Sequence, residues 1–221
     1  MVHALPNLLT SFRLVAAPGV ALVFAGLPRP TADLIAFGLF VVAAVTDWAD
    51  GWLARRLGAV SAYGRMMDPI ADKAMVMIAL AVLLMLTGPN PLMIVPAAAI
   101  MLREVAVSGL REFLAGRVEA PVTRLAKWKT TVQMMAIGAL LLAGWATERE
   151  ALLFHQLGPE AFFAILEGAA PDPHWLGPLR AATPVVVTSG FGLLWLAAAM
   201  TVWTGVGYFR RALAHPAAKE A

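Results

Sequence analysis

The sequence predicts an all-α, polytopic integral membrane protein with six transmembrane helices. Hydrophobic residues make up 60% of the 221 residues, charged residues only 14%, and the mean hydropathy is +0.75. These values lie well outside the range of a soluble globular domain. Cysteine is absent, which excludes disulfides, thiolate metal sites and a cysteine nucleophile.

Six apolar segments are long enough to cross a bilayer. The first contains Arg13 and Pro18 and has no basic leader or small-residue cleavage site, so we do not expect a removable signal peptide. Turn-forming residues separate the later segments, as at 27–30 and 88–91, and a Pro/Gly-punctuated stretch follows the fifth. In chain order, the predicted spans are residues 7–27, 32–55, 66–87, 91–115, 123–146 and 182–209.

The basic residues predict the orientation. Six spans place both termini on one side, and fourteen of the seventeen Lys and Arg residues fall there; Arg29, Arg149 and Arg180 fall on the other. The positive-inside rule makes the richer side cytoplasmic. We therefore expect one domain over residues 1–221 in the inner (plasma) membrane. Residues 147–181 are expected to form an extracytoplasmic connection, as a loop or a short interfacial helix.

Four aspartates lie where the second predicted span ends and the third begins. Asp47 and Asp50 are three residues apart, and Asp68 and Asp72 are four apart, so each pair shares one helix face. Charges in a membrane are costly and neighbouring carboxylates repel each other, so a compensating positive charge is expected. Hard oxygen ligands suit Mg²⁺, Mn²⁺ or Ca²⁺, and four carboxylates could hold two ions.

Other interpretations of this cluster stay open. The aspartates could be solvated residues near helix ends, or the ligands of a divalent-cation transporter. A catalytically silent scaffold is a further alternative, although it would have no reason to keep four costly charges. The small residues Gly51, Ala54 and Gly64 would admit a bulky ligand beside Arg55, but they are also typical of close helix packing.

The spacing of these residues resembles the signature of the CDP-alcohol phosphatidyltransferase family. Eight fixed residues match over 26 positions, in the order Asp47-x2-Asp50-Gly51-x2-Ala54-Arg55-x8-Gly64-x3-Asp68-x3-Asp72. The resemblance implies that a CDP-linked lipid gives its phosphatidyl group to an alcohol and releases CMP. It also implies a site with two divalent ions, Mg²⁺ or Mn²⁺, held by the four aspartates, with Asp72 as general base. Without a cysteine or an evident Ser/His pair, we expect direct displacement.

Further segments are similar to the phosphatidylglycerophosphate synthase branch of this family. They are the run from Pro6 to Arg13, the run from Arg103 to Glu112, and the run from Ala126 to Gln133, where Ala126 replaces the usual glycine. The branch implies CDP-diacylglycerol as donor and sn-glycerol 3-phosphate as acceptor. Related branches use inositol phosphate, serine or phosphatidylglycerol.

The resemblance also implies binding residues and partners. For the CDP-lipid we expect Gly51, Ala54, Arg55, Gly64, Asn7 and Thr10. Asn7, Thr10 and Arg13 recur every three residues and can face the cleft together, although Asn7 or Thr10 could equally cap the helix. For the acceptor phosphate we expect Arg103, Arg111, Lys127 and Lys129, which could alternatively snorkel to the interface. We expect membrane lipid and a second copy of the chain as partners, and no nucleic acid.

Overall fold

The protein is an all-α bundle of six helices in the residues that its computed structural model describes, 4–57, 62–113 and 124–213. The predicted fold class is therefore confirmed. The helices are α1 (Ala4–Gly26), α2 (Thr31–Leu57), α3 (Ala62–Thr87), α4 (Pro91–Phe113), α5 (Arg124–Leu166) and α6 (Leu176–Leu213).

Five of the six helices can span a membrane. Within the described residues, five stretches are long and apolar enough to do so: Asn7–Gly26, Ala62–Thr87, Pro91–Leu110, Trp128–Leu166 and Leu176–Arg210. α2 carries an apolar run between Asp33 and Asp47 and packs against α1 and α5. The chain is therefore a multi-pass membrane protein.

Small residues let the helices approach closely. Ala17, Ala36, Ala79 and Ala97 are fully buried in the central core, where they are interleaved with larger side chains such as Phe40. α1 packs on α2 and α3, and α6 packs on α4 and α5. Because successive helices run in opposite directions, the beginnings of α1, α3 and α5 meet the ends of α2, α4 and α6. We call this end of the bundle the aspartate end.

The fifth helix is longer than its predicted span. It continues from residue 146 to Leu166, with a break at Gly158, whose φ of 76° is one that favours glycine. Beyond the membrane core, Leu153, Phe162 and Leu176 bury one another in a second apolar cluster. Because this cluster stabilises a helical extension, much of the stretch 147–181 is helix, and α6 begins six residues earlier than predicted.

Candidate active site

Three of the four predicted aspartates converge on one buried arginine. Arg13 of α1 is only 3% exposed, and its Nη1 donates to Oδ1 of Asp47 and, at 2.6 Å, to Oδ1 of Asp72. Its Nη2 donates to Oδ1 of Asp68 at 3.0 Å. A single guanidinium thus connects α1, α2 and α3 at the aspartate end.

Helical spacing explains why these side chains meet. Asp68 and Asp72 are one turn apart on α3, and Thr10 and Arg13 are nearly one turn apart on α1. The buried Thr10 hydroxyl donates to Oδ1 of Asp68 at 2.8 Å. The same carboxylate oxygen therefore accepts from both α1 residues, which fixes its position relative to the other carboxylates.

The charges in this cluster are partly compensated and still accessible. The positive charge of Arg13 reduces the repulsion among Asp47, Asp68 and Asp72. These carboxylate side chains are 48%, 45% and 55% exposed, respectively. A charged ligand that enters from solvent can therefore reach all three.

Part of the predicted donor site lies outside the described side chains. Asp50, Gly51, Ala54 and Arg55 belong to α2, and their side chains are among those the structure does not describe. Gly64 lies in the first turn of α3. The donor-binding surface that Gly51, Ala54 and Gly64 would form beside the aspartates consequently stays a prediction.

A second polar cluster joins α4 and α5 at the same end of the bundle. Arg103 Nη1 donates to Oε1 of Glu104 at 2.9 Å, and the buried Lys129 Nζ donates to the same oxygen at 2.7 Å. Two of the predicted acceptor-binding cations thus share one carboxylate. We call these three residues, Arg103, Glu104 and Lys129, the Glu104 cluster. Arg111 and Lys127, the other two, have side chains outside the described part of the chain.

Close helix packing holds Arg103 in place. A Cβ added to Gly205 of α6 would lie 2.9 Å from Cγ of Arg103, so only glycine leaves room for this side chain. On the other side of α4, Lys73 Nζ donates to Oγ of Ser108, whose hydroxyl donates to the Glu104 carbonyl oxygen at 2.6 Å. Because Lys73 directly follows Asp72, this contact links the aspartates to the Glu104 cluster.

Two adjoining cavities open beside the aspartates. The first, about 350 Å³, has Arg13, Asp47 and Asp72 at its polar end and Thr130 and Thr131 of α5 opposite. The second is an open groove of about 630 Å³ between α2, α5 and α6 with almost entirely apolar walls. Both are lined by Ala44, Met134 and Met135, so a largely apolar pocket with a charged end adjoins an apolar groove.

The protein-family comparison decides among the classes left open by the sequence. The family model for CDP-alcohol phosphatidyltransferases matches residues 3–209, nearly the whole chain. The chain belongs to the CDP-alcohol phosphatidyltransferase family. It is therefore a phosphatidyltransferase by family, and a divalent-cation transporter need not be invoked.

Curated relatives of this phosphatidyltransferase cover nearly its full length. A CDP-diacylglycerol–glycerol-3-phosphate 3-phosphatidyltransferase of Cereibacter sphaeroides is 45% identical over 95% of this chain and 96% of its own. A protein of the same name from Rickettsia bellii is 35% identical over 93% of each chain. A cardiolipin synthase (CMP-forming) of Oryza sativa is 34% identical over 94% of this chain and 56% of its own.

Phosphatidyltransferases of this family generally depend on divalent metal ions. The donor chemistry here fits such an ion, because three carboxylates from two helices converge on one positive group. Among the described side chains, no three acidic or histidine groups are arranged to hold a metal by themselves. The guanidinium of Arg13 lies between the carboxylates that the sequence assigns to the metal.

Sequence reasoning left two residues out of the candidate site. The resemblance groups Arg13 with Asn7 and Thr10 as residues that touch the nucleotide or support the metal ligands, but it does not name Arg13 as a partner of the aspartates, although an arginine inside an apolar helix is a functional signal. Glu104 was not assigned to the acceptor site, although it lies beside Arg103 in the segment that carries the branch resemblance. In both cases a charge in an apolar segment was the available signal.

Proposed function

We propose that this protein transfers the phosphatidyl group of CDP-diacylglycerol to sn-glycerol 3-phosphate, giving phosphatidylglycerophosphate and CMP. The observation that carries the proposal is the convergence of Asp47, Asp68 and Asp72 on Arg13, because Asp47, Asp72 and Arg13 line a pocket that adjoins an apolar groove. Relatives with nearly full-length matches carry the name of this reaction, which supports sn-glycerol 3-phosphate as the acceptor.

The donor fits the two adjoining cavities. We propose that the CDP group lies at the aspartates beside Gly51, Ala54, Arg55 and Gly64, with Asn7 and Thr10 on α1 completing that side. The apolar groove between α2, α5 and α6 would receive an acyl chain directly from the bilayer. A lipid substrate can then react without leaving the membrane.

The four aspartates have two proposed roles, metal binding and proton transfer. We propose that Asp47, Asp50, Asp68 and Asp72 hold two Mg²⁺ or Mn²⁺ ions, which when bound neutralise the pyrophosphate and the departing CMP. Asp72 accepts the proton of the acceptor hydroxyl as its oxygen attacks the β-phosphorus of the donor. The bond from that phosphorus to the bridging oxygen breaks, and CMP leaves with the electron pair.

The Glu104 cluster supplies cations for the acceptor phosphate. Arg103 and Lys129 are both oriented by Glu104, and Arg111 and Lys127 are the further candidates on the same two helices. A carboxylate between two cations fixes their positions through charge-assisted hydrogen bonds. The dianionic phosphate of sn-glycerol 3-phosphate suits such a site better than a neutral acceptor does.

The acceptor has one specific alternative. The cardiolipin synthase relative favours phosphatidylglycerol as a second candidate, because it matches almost the whole of this chain. Inositol phosphate and serine, the acceptors of other branches, have no comparable support among the relatives described above.

Release of CMP by purified protein in detergent tests the proposal. CDP-diacylglycerol and Mg²⁺ are supplied with sn-glycerol 3-phosphate, phosphatidylglycerol, inositol phosphate, serine or no acceptor. We expect release that depends on sn-glycerol 3-phosphate. Release only with phosphatidylglycerol would favour the alternative, and release with none would contradict both.

We further propose that the aspartate end faces the cytoplasm of the cell's inner membrane and that the protein is a homodimer. The excess of Lys and Arg at this end supports the orientation. Protease accessibility of a tag at either terminus, in intact and opened cells, tests the orientation. Cross-linking in membranes before solubilisation tests the dimer.

A further inference from the structure

Arg13 occupies the position that the carboxylates would offer to a cation. Both Asp47 and Asp72 accept from its Nη1, and Asp68 accepts from its Nη2 at 3.0 Å. The guanidinium thus engages one oxygen of each of the three carboxylates. Its side chain is 3% exposed, whereas the carboxylates are about half exposed, so the arginine approaches them from the protein side.

We propose that Arg13 is a built-in counter-ion of the aspartate cluster, which holds the three carboxylates together when no divalent ion is bound and yields their oxygens when one binds. The inference rests on the proposed metal site. It concerns a residue of α1 to which the family signature between Asp47 and Asp72 assigns no role.

Electrostatics supports an exchange of this kind. Three carboxylates repel one another, and a nearby positive charge reduces the cost of keeping them together. A guanidinium does so with one charge and directed hydrogen bonds, whereas a divalent ion brings two charges to the same oxygens. Both the Arg13 guanidinium and a divalent ion offset the repulsion among the carboxylates, so the two compete for the same carboxylate oxygens.

The surrounding structure allows Arg13 to serve in both states. Thr10 donates to the same Asp68 oxygen, so this carboxylate keeps one partner on α1 if the guanidinium withdraws. The adjoining cavity of about 350 Å³ is also lined by Arg13, which gives its long side chain room to move. The carboxylates can therefore change their cation while the helices keep their packing.

Thermal unfolding of detergent-purified protein, in EDTA and in graded Mg²⁺ or Mn²⁺, separates this role from a purely structural one. The variants are Arg13→Gln, which removes the charge, and Arg13→Lys, which keeps it but loses the fork of donors. Arg29→Gln is the matched control, because Arg29 also pairs with a buried aspartate, Asp33, but at the opposite end of the bundle.

In EDTA we expect Arg13→Gln to unfold at a lower temperature than the wild type. Divalent ions should restore much of that loss. The half-saturating metal concentration should fall at least roughly tenfold, because the charged hydrogen bonds of Arg13 no longer compete for the three carboxylates. Arg13→Lys should lie between the two. Arg29→Gln should lower the unfolding temperature equally with and without metal.

Two results would overturn the proposal while leaving the metal site intact. One is a higher half-saturating metal concentration in Arg13→Gln, which would mean that Arg13 assists metal binding. The other is an equal loss of stability in EDTA and in metal. If the wild type itself shows no metal response and Asp68→Asn behaves like it, the proposed metal site fails and the exchange fails with it.

Discussion

Nη1 of Arg13 lies 2.6 Å from Oδ1 of Asp72, and this contact joins the first helix to the third across 59 residues of sequence. The carboxylate to which we assign the general-base role is therefore held by a residue of a different helix. Its orientation depends on the packing of α1 against α3, and not on α3 alone.

Asp72→Asn should nearly abolish turnover while leaving CDP-diacylglycerol bound. An amide cannot accept the proton of the acceptor hydroxyl, and loss of a general base typically costs about a hundredfold or more in rate. CMP release measures turnover, and retention of a CDP-lipid on immobilised protein measures binding. Normal turnover by this variant would refute the base assignment.

Thr10→Val should weaken the site through Asp68. The buried hydroxyl donates to this carboxylate at 2.8 Å, and loss of a hydrogen bond to a charged group costs about 1.5–3 kcal/mol. We expect the metal concentration for half-maximal activity to rise about tenfold. Thr10→Ser keeps the hydroxyl and should remain near the wild type; equal behaviour of the two variants would contradict this assignment.

Gly205→Ala tests the proposed acceptor site from α6, a helix that carries none of the four predicted acceptor-binding cations. The new methyl group would lie 2.9 Å from Cγ of Arg103 and would force that side chain to move. We expect KM for sn-glycerol 3-phosphate to rise about fivefold, the effect of roughly 1 kcal/mol of displacement. Gly192→Ala is the control, because nothing lies within 4 Å of its added Cβ. An unchanged KM in Gly205→Ala would argue against Arg103 as an acceptor ligand.

At the opposite end of the bundle, an ion-pair network of Arg29, Asp33 and Glu148 should affect stability but not catalysis. Arg29 donates to both oxygens of the buried Asp33, at 2.7 and 2.8 Å, and pairs with Glu148 of α5 at 2.6 Å. Asp33→Asn removes one of the two carboxylates that pair with Arg29 and should cost roughly 2 kcal/mol of unfolding free energy, the typical loss for hydrogen bonds to a charged group. Thermal unfolding measures this loss. Glu160 is an exposed acid on α5, so Glu160→Gln should leave the unfolding temperature unchanged. An equal effect of the two variants would contradict a stabilising role of the Arg29–Asp33 pair.

Asp172 should make the start of α6 sensitive to acid. Its carboxylate accepts from the backbone N–H groups of Gly177 and Leu176, at 2.9 and 2.8 Å, and these bonds lower its pKa below the usual 3.8. A lowered pKa stabilises the fold above the unfolded value, and the contribution is lost as pH falls through the folded value. Asp172→Ala should therefore unfold at a lower temperature than the wild type at pH 6. The difference in unfolding temperature between the two proteins should narrow towards pH 3. A difference that is constant with pH would contradict the stabilising role of the Asp172 carboxylate.

The helical architecture and the meeting of Asp47, Asp68 and Asp72 could be predicted from the sequence, because both follow from local rules. Apolar segment length predicts the helices, and spacings of three and four place Asp68 with Asp72 on one helix face. Antiparallel neighbours then bring Asp47 to the same end. These steps need no knowledge of how side chains pack.

The rest depended on tertiary contacts that spacing does not encode. Arg13 reaches three carboxylates only because α1 packs against both α2 and α3. Glu104 of α4 and Lys129 of α5 are 25 residues apart in sequence, and spacing along one helix does not predict their contact. The extension of α5 beyond residue 146 depends on Leu153 and Phe162 burying each other against α6. Because this stretch contains Gly158 and Pro159, local sequence rules predict a loop where the structure has helix.

The most direct test of the central claim follows labelled sn-glycerol 3-phosphate into the lipid phase. Purified protein is given CDP-diacylglycerol and Mg²⁺, and organic-soluble label is measured against CMP in the same samples. We predict equal amounts of labelled phosphatidylglycerophosphate and CMP, with neither formed in EDTA or by Asp72→Asn. CMP formed without label in lipid, or labelled lipid formed without CDP-diacylglycerol, would contradict the proposed phosphatidyl transfer.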